Sequence, residues 1–320
     1  VEVKSLMDDA MQNPQNYLFT IWENPTDCAG IAEGTDGFQG SDYKTMATTF
    51  DVNPLNDLST IWEFYKGDDG KYLIVNASER ENVLLTEDND YFFRYNDQSS
   101  IVYDKGFVTF TEAKYNNWTL KSAKGYLHRW DSNCNDYVVD KNKGYSKIYA
   151  ISRVQYYIDV KDILYTSSIL TPIDVPLLIS NNEGIGEDGK EPLMWNFSVS
   201  DEIKVQDKYS ESSFSLVSGN QFFEYSSESS PTTVMSQTIS NLPRGYYLFE
   251  VTTNTTGNSG YIFAEATGQE RLVEDLSSSD PETHIVAVPV QLDVDGGSIT
   301  FGIDISEYQH TADAQSSTDE

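Results

Sequence analysis

A Tyr-Leu pair recurs along the first half of the chain. Asn16-Tyr17-Leu18 lies 55 residues before Lys71-Tyr72-Leu73, and Gly125-Tyr126-Leu127 lies 54 residues after it. A tryptophan trails the first two copies at nearly constant distance: Trp62 is 45 residues after Tyr17, and Trp118 is 46 after Tyr72. A fixed period dictates architecture more strongly than any local propensity. Between the copies the chain breaks into short apolar or aromatic runs with tight-turn residues between them, such as Asp68-Asp69-Gly70 and Asp104-Lys105-Gly106. Many short strands at close spacing point to a barrel or sandwich. Three copies of such a unit imply a closed barrel with threefold pseudo-symmetry.

The reading along the chain starts with a helix over residues 3–12, where Val3, Leu6, Met7 and Ala10 share one face. Pro14 stops it. Strands are expected at Tyr17–Trp22, Lys44–Phe50, Ser59–Tyr65, Tyr72–Val75, Val83–Leu85, Tyr91–Phe93, Ile101–Tyr103 and Phe107–Phe110. Further strands are expected at Trp118–Leu120, Tyr126–Trp130, Tyr137–Val139, Lys147–Ser152 and Gln155–Val160. Residues 24–42, rich in Gly, Asp and Thr, read as a long loop.

The period ends near residue 160, and Pro172 and Pro176 mark a change of pattern. The expected division is therefore a first domain over 1–168 and a second over 169–320. Eight strands are expected in the second: Met194–Val199, Phe214–Val217, Phe222–Tyr225, Val234–Ile239, Tyr246–Thr252, Tyr261–Ala264, His284–Val290 and Ser298–Ile303. That number in about 150 residues fits a jelly-roll sandwich.

Charge narrows the partners. Asp and Glu number 51 against 21 Lys and Arg, a formal net charge of −30. Such a field repels phosphate backbones, so nucleic acid is not expected. No apolar run approaches the roughly 18 residues of a membrane-spanning helix. The opening residues carry no signal-peptide pattern, so the chain is read as cytosolic or as already processed for export. The high aromatic content, with 21 Tyr, 15 Phe and 5 Trp, separates it from disordered acidic chains.

Several motifs reduce to bland readings. Gly184-Ile185-Gly186-Glu187-Asp188-Gly189-Lys190 has the spacing of a phosphate-binding loop, but Glu191 stands where a magnesium-holding Ser or Thr is needed. It reads as a surface loop. Asp293-Val294-Asp295-Gly296 opens like a calcium loop, yet Ser298 occupies the obligatory glycine position. It reads as a hairpin turn. His128, His284 and His310 are scattered, so no zinc site is expected. No cofactor is called for. Structural calcium is compatible with the acidity, but no cluster names its ligands. Asn76, Asn117, Asn196 and Asn254 begin Asn-x-Ser/Thr triplets. Cys28 and Cys134 sit at similar points in copies one and three, and a disulfide would need their Cα atoms within roughly 7 Å. No nucleophile elbow or other catalytic constellation is legible.

The repeated Tyr-Leu units, with Trp62 and Trp118 opening the strand before the next copy, resemble the ricin-like β-trefoil domains of surface proteins from gut anaerobes. Gly70-Lys71-Tyr72-Leu73 matches the recurring turn of that family best, and the resemblance covers roughly residues 14–165. The Gln-x-Trp motif of ricin-type lectin repeats is absent, so the family's sugar sites are not carried over. The second half resembles a galactose-binding-like carbohydrate-binding jelly roll. Val234–Val251, with its Gln237-Thr238-Ile239-Ser240-Asn241-Leu242-Pro243-Arg244-Gly245-Tyr246 run, carries that resemblance together with Gly297–Ile303.

The fold expected is thus all-β, a β-trefoil followed by a jelly-roll β-sandwich. The resemblances imply a non-catalytic glycan-binding protein, secreted or at the cell surface, whose partner is a glycan or glycoprotein. The alternatives are a protein-binding adhesin and the non-catalytic part of a longer glycoside hydrolase. Sugar faces stack on rings while Asp, Asn and Gln take the hydroxyls. The site residues expected on that basis are Trp22, Trp130 with Asp131 and Asn133, and Trp195 with Asn196.

Overall fold

The computed structural model describes residues 2–24, 26–33, 43–50, 53–67, 70–80, 83–86, 92–95, 108–112, 118–122, 125–129, 137–140, 146–161, 172–181, 193–198, 203–207, 221–225, 234–253, 260–276 and 284–305. The chain divides into two compact units. The first comprises Val1–Ser167, Ile173–Met194 and Val205–Phe222; the second comprises Ser168–Pro172, Trp195–Lys204 and Phe223–Glu320. No described helix is long and apolar enough to cross a membrane.

The first unit opens with helix α1 (Glu2–Gln12). Its strands are β1 (Tyr17–Trp22), β2 (Asp27–Glu33), β3 (Tyr43–Phe50), β4 (Trp62–Lys66), β5 (Tyr72–Asn76), β6 (Val83–Thr86), β7 (Phe92–Tyr95), β8 (Thr109–Glu112), β9 (Trp118–Lys121), β10 (Tyr126–Arg129), β11 (Tyr137–Asp140) and β12 (Lys147–Ser152). Six of them close a ring. β1 pairs with β12 and β4, β4 with β5, Tyr72 of β5 with Val108 just before β8, β8 with β9, and β9 with β12. Closure leaves no free edge in the ring. The other six form three hairpins, β2–β3, β6–β7 and β10–β11. A six-stranded antiparallel barrel with three added hairpins is the connectivity of a β-trefoil.

Strand register identifies the repeat. Tyr17, Tyr72 and Trp118 stand opposite Ser152, Lys66 and Glu112, the last residues of β12, β4 and β8. Two residues on, Phe19, Ile74 and Leu120 stand opposite Ala150, Phe64 and Phe110. All six of these side chains belong to the barrel core or pack against it. The third copy therefore begins at Trp118. The Tyr126-Leu127 pair opens β10, one strand later than the sequence period suggests. Leu127 still fills the same core, reaching it from a hairpin as Ala29 and Ile31 do from β2.

The core is aromatic. Phe64 meets Phe19 edge-on with ring centroids 4.8 Å apart, and Phe110 meets Phe64 and Tyr72 at 4.9 and 4.8 Å. Fully burying each such side chain stabilises the fold by roughly 1.5–3 kcal/mol. Trp62 is wholly buried, and its indole N–H donates to the Ala29 carbonyl (2.9 Å), so no polar atom is stranded. α1 contributes Met7 and Ala10 to this core. The Tyr17 hydroxyl donates to Asp9, and the Tyr72 hydroxyl donates to the Met11 carbonyl (2.6 Å).

Two expectations fail for identifiable reasons. The loop expected over 24–42 contains β2. Its Gly30 reads as a loop signal, but the strand needs it: a Cβ there would lie 2.5 Å from Thr49 Oγ1 and 3.3 Å from the Ser59 carbonyl. The strand expected at Gln155–Val160 is helical, α-helical over Arg153–Gln155 and π-helical over Tyr156–Val160. Ser152 caps it by accepting from the Gln155 N–H (3.0 Å). Arg153, Val154, Tyr156 and Tyr157 are buried while Gln155 and Asp159 are exposed, which is helical periodicity in a short apolar run. The expected strands Ile101–Tyr103 and Phe214–Val217, and the Gly184–Lys190 loop, lie outside the described residues.

Beneath this helical segment sits a buried ion triad. The Glu63 carboxylate on β4 is within 2.6 Å of Arg80 Nε and 2.7 Å of Arg153 NH2, and all three side chains are almost wholly buried. The guanidiniums donate onward to backbone carbonyls. Arg80 reaches Pro176 (3.0 Å) and Ile179 (2.5 Å); Arg153 reaches Gln15 (2.7 Å) and Leu177 (2.7 Å). Residues 173–181 are thereby fastened to the barrel, and Leu177 and Leu178 among them are buried.

The remaining strands are β13 (Asn196–Phe197), β14 (Ile203–Asp207), β15 (Gln221–Tyr225), β16 (Val234–Leu242), β17 (Gly245–Thr253), β18 (Tyr261–Ala266), β19 (Leu272–Asp275), β20 (His284–Leu292) and β21 (Gly297–Asp304). β14 and β19 were not expected. One sheet runs β13-β16-β21-β18-β19 and another pairs β17 with β20, while β14 and β15 pair separately. From β16 to β21 the chain alternates between the first two sheets, apart from the β18–β19 hairpin. This is the wrapping of a jelly roll. Phe249 of β17 meets Phe301 of β21 at 4.7 Å between the sheets. Val288, Val290 and Leu292 are buried on β20. Residues 293–296, expected as a hairpin turn, instead carry the chain from β20 in one sheet to β21 in the other, with Gly296 at φ +76°.

Burial pushes the Glu63 pKa upward, but the Arg153 and Arg80 charges outweigh it and hold the group below the usual carboxylate range. Its stabilising contribution is therefore complete above the ordinary Glu pKa and is lost as pH falls through the depressed folded value. Glu63→Ala should destabilise the first unit by about 3–5 kcal/mol, because it strands two buried cations. Urea unfolding at pH 7 measures this, and the gap between wild type and variant should narrow in acid. In the second unit, a Cβ on Gly302 would lie 2.0 Å from the Met235 carbonyl, whereas one on Gly245 would meet only Tyr247 at 3.7 Å. Gly302→Ala should lower stability by about 1–3 kcal/mol. Gly245→Ala should be close to neutral in the same melts.

Candidate functional site

Alternation along β1 sends Phe19 and Ile21 inward and Thr20 and Trp22 outward. On β12 the inward residues are Ile148 and Ala150, so Lys147 and Tyr149 face out. Trp22 stands opposite Lys147, and Thr20 opposite Tyr149. The two outward rings are diagonal neighbours within reach of each other. Their centroids are 6.4 Å apart and their planes cross at 88°. Tyr149 is 44% exposed and Trp22 is half-buried. The Trp22 indole N–H donates to Thr20 Oγ1 (2.8 Å), which fixes the ring and satisfies its only donor.

A polar turn continues from the corner. Asn24 Nδ2 donates to Asp27 Oδ2 (2.6 Å) and Thr26 Oγ1 to Asp27 Oδ1 (2.9 Å). The Thr26 and Asp27 amides both donate to Asn24 Oδ1 (2.9 and 3.1 Å). This is Asx-turn chemistry, and it orders the turn without any ligand. Arg129 of β10 approaches Asp27 at 3.8 Å, and Ser146 Oγ donates to Glu23 Oε2 (3.2 Å). The result is two aromatic rings beside two carboxylates, an amide, a lysine and an arginine, carried mostly on strands of a closed barrel. Such a surface can stack an apolar ring face and exchange hydrogen bonds with hydroxyls.

The structure places the expected residues unequally. Trp22 lies at this corner. Trp130, Asp131 and Asn133 lie outside the described residues. Trp195 belongs to the other unit, where its half-buried ring meets Phe301 edge-on at 6.1 Å and packs beside Met235 and Ile305. Asn196 is exposed and stands opposite Ser236. Tyr149 was not foreseen. It lies 127 positions from Trp22 along the chain, and only pairing the last barrel strand with the first brings it near. The alternation of Lys147-Ile148-Tyr149-Ala150 was the available signal.

Other candidates resolve as structural. Among the described residues, no group of three His, Cys, Asp or Glu side chains is arranged to hold a metal ion. His128 is buried, with Nδ1 2.6 Å from the Arg129 carbonyl. Asn76 is buried and its amide donates to the Ser59 carbonyl (2.8 Å), so the triplet it begins offers no accessible glycosylation acceptor. Cys28 is a free, buried thiol, and Cys134 lies outside the described residues. On the second unit, one face of the β17–β20 ribbon exposes Tyr246 (65%), Leu248 (56%) and Ile285 (67%) beside the exposed Glu250, Thr252 and Gln291.

No protein-family model matches the chain, and no curated protein matches it. Among solved structures it is similar to a designed three-fold symmetric protein at 10% identity and a TM-score of 0.32, over 42% of this chain and 99% of the other. It is also similar to the exo-β-1,3-galactanase of Phanerochaete chrysosporium, in a structure with β-1,3-galactotriose, at 14% identity and a TM-score of 0.24. That match covers 90% of this chain and 78% of the other. The fold assignment rests on the strand pairing, independently of these likenesses.

Burial, with Asp57 and Asp27 adding to it, pushes the Cys28 thiol up to about 11. Native Cys134→Ser protein should therefore resist thiol reagents at pH 8, because the reactive thiolate is scarce and shielded. The same protein should label promptly in denaturant, as followed by absorbance.

Proposed function

We propose that the chain is a non-catalytic glycan-binding protein of ricin-like type, secreted or at the cell surface, whose sugar site is the Trp22–Tyr149 corner. The observation that carries the reading is the pair of crossed, outward-facing rings next to the self-ordered Asn24–Asp27 turn. A pyranose has one face of C–H groups and a rim of hydroxyls. The rings match the face, and Asp27, Glu23 and Asn24 match the rim. Pre-ordering of both parts lowers the cost of binding. Trp130, Asp131 and Asn133 are proposed as further contacts from the third repeat, and Trp195 with Asn196 as contacts of the second unit.

A second reading has its own support. The exposed Tyr246, Leu248 and Ile285 share one face of β17–β20 with Pro289, directly opposite Leu248. Clustered apolar exposure of this kind marks protein-binding surfaces. An adhesin working through the sandwich would use that face.

Glycan-array screening followed by calorimetry separates the two. Trp22→Ala and Tyr149→Ala should each weaken binding of the best array oligosaccharide at least tenfold, about 1.4 kcal/mol. Leu248→Ser should leave that affinity unchanged. An array without hits, or a hit indifferent to both ring substitutions, would end the glycan reading.

A further inference from the structure

We infer that the trefoil unit binds glycan at one site only, despite its threefold pseudo-symmetry; the inference rests on the glycan reading above. A trefoil repeats each surface three times, and the register given under Overall fold says which residues occupy equivalent places. The Trp22–Tyr149 corner lies on the outward face of the β12–β1 pair. Its counterparts are the outward faces of β4–β5 and β8–β9.

In the β4–β5 pair, Glu63 stands opposite Val75, the places held by Tyr149 and Thr20 in the first face. One step further, the Ala77 amide donates to the Ile61 carbonyl (2.9 Å), so these two hold the places of Trp22 and Lys147. Ile61, Glu63, Val75 and Ala77 are all buried. Glu63 engages Arg80 and Arg153, and their onward bonds to Pro176, Leu177 and Ile179 hold the chain's own segment in place. The second face is thus filled from within. It has neither ring, and its one polar side chain is committed to a buried ion triad.

In the β8–β9 pair, Thr109 stands opposite Lys121, again at the places of Tyr149 and Thr20. Thr109 Oγ1 donates to the Lys121 carbonyl (3.2 Å). Tyr126 is close by, but the Lys121 ammonium sits 5.5 Å from the centre of its ring, a cation–π contact over one face. A threonine stands at the place of Tyr149 and a lysine at that of Thr20, while the places of Trp22 and Lys147 fall at Ala123 and Phe107, which lie outside the described residues. The pseudo-symmetry that builds the barrel core therefore stops at the surface. The gain in avidity that repeated sites bring to clustered glycans, often 10²- to 10⁴-fold, is not available to this unit alone.

Calorimetry on the full chain tests the count, with the strongest array oligosaccharide as a free single-copy ligand. Trp22→Ala should remove one site, and the double variant Thr109→Ala/Lys121→Ala should remove none. Tyr149→Ala repeats the first arm if Trp22→Ala melts early. A site that survives both sets of changes is assigned with Trp195→Ala: its loss places it on the second unit and agrees with the inference, and its persistence overturns the count. Loss of a site in the double variant would overturn the count while leaving the glycan reading intact. Absence of binding by the wild-type chain would overturn the glycan reading, and the count with it.

Discussion

Glu63 ties together parts of the first unit that are distant in sequence. Its carboxylate receives Arg80 from the turn after β5 and Arg153 from the helical segment after β12. Taking three charges out of water costs several kcal/mol per ion before any attraction is counted. The cost is offset only because each group finds a partner. One carboxylate cannot balance two guanidiniums, and the carbonyls of Gln15, Pro176, Leu177 and Ile179 take up the remaining donors. The triad therefore demands that β4, the β5–β6 turn, the chain before β1 and the segment after the barrel all be in place together. Tyr65 lies against it, its hydroxyl 3.3 Å from Glu63 Oε2, and burial raises the phenol's pKa further above its ordinary value. An isolated barrel without the Ile173–Met194 segment would leave these cations facing an open surface.

The same contact breaks the symmetry that defines the unit. Inside, the three repeats agree: Phe19, Ile74 and Leu120 fill equivalent positions and meet in one core. Outside, they diverge among the described residues. One face presents two rings, one is sealed by the chain's own segment, and one presents a threonine and a lysine. Packing density constrains the inside of a barrel tightly, since any change of volume is felt by several neighbours. The outward positions carry no such demand, and function can differ from repeat to repeat.

Much of this architecture is legible in the sequence because it follows from period and alternation. Tyr17–Trp22 and Lys147–Ser152 are strands with the bounds expected, and α1 differs from expectation by one residue. The losses come from residues whose local signal and tertiary role conflict. Gly30 reads as a turn but sits in a strand because Thr49 leaves no room for a side chain. Tyr156-Tyr157-Ile158 reads as a strand but forms a helical turn that buries two rings on one side. Tyr126-Leu127 copies the repeat signature but opens the following strand, since any strand that feeds the barrel wants the same residue types.

The candidate site shows the same division. Sequence alone determined that the chain is antiparallel β, that its first half is threefold, that its net charge is strongly negative, and that Trp22 ends the first barrel strand. Local periodicity and net charge suffice for those. Only the tertiary structure decided that Tyr149 joins Trp22, that Trp195 turns toward Phe301, and that Glu63 meets two arginines. These depend on which strands become neighbours when the barrel closes. Closure is a property of all six strands at once, and no single stretch of sequence encodes it.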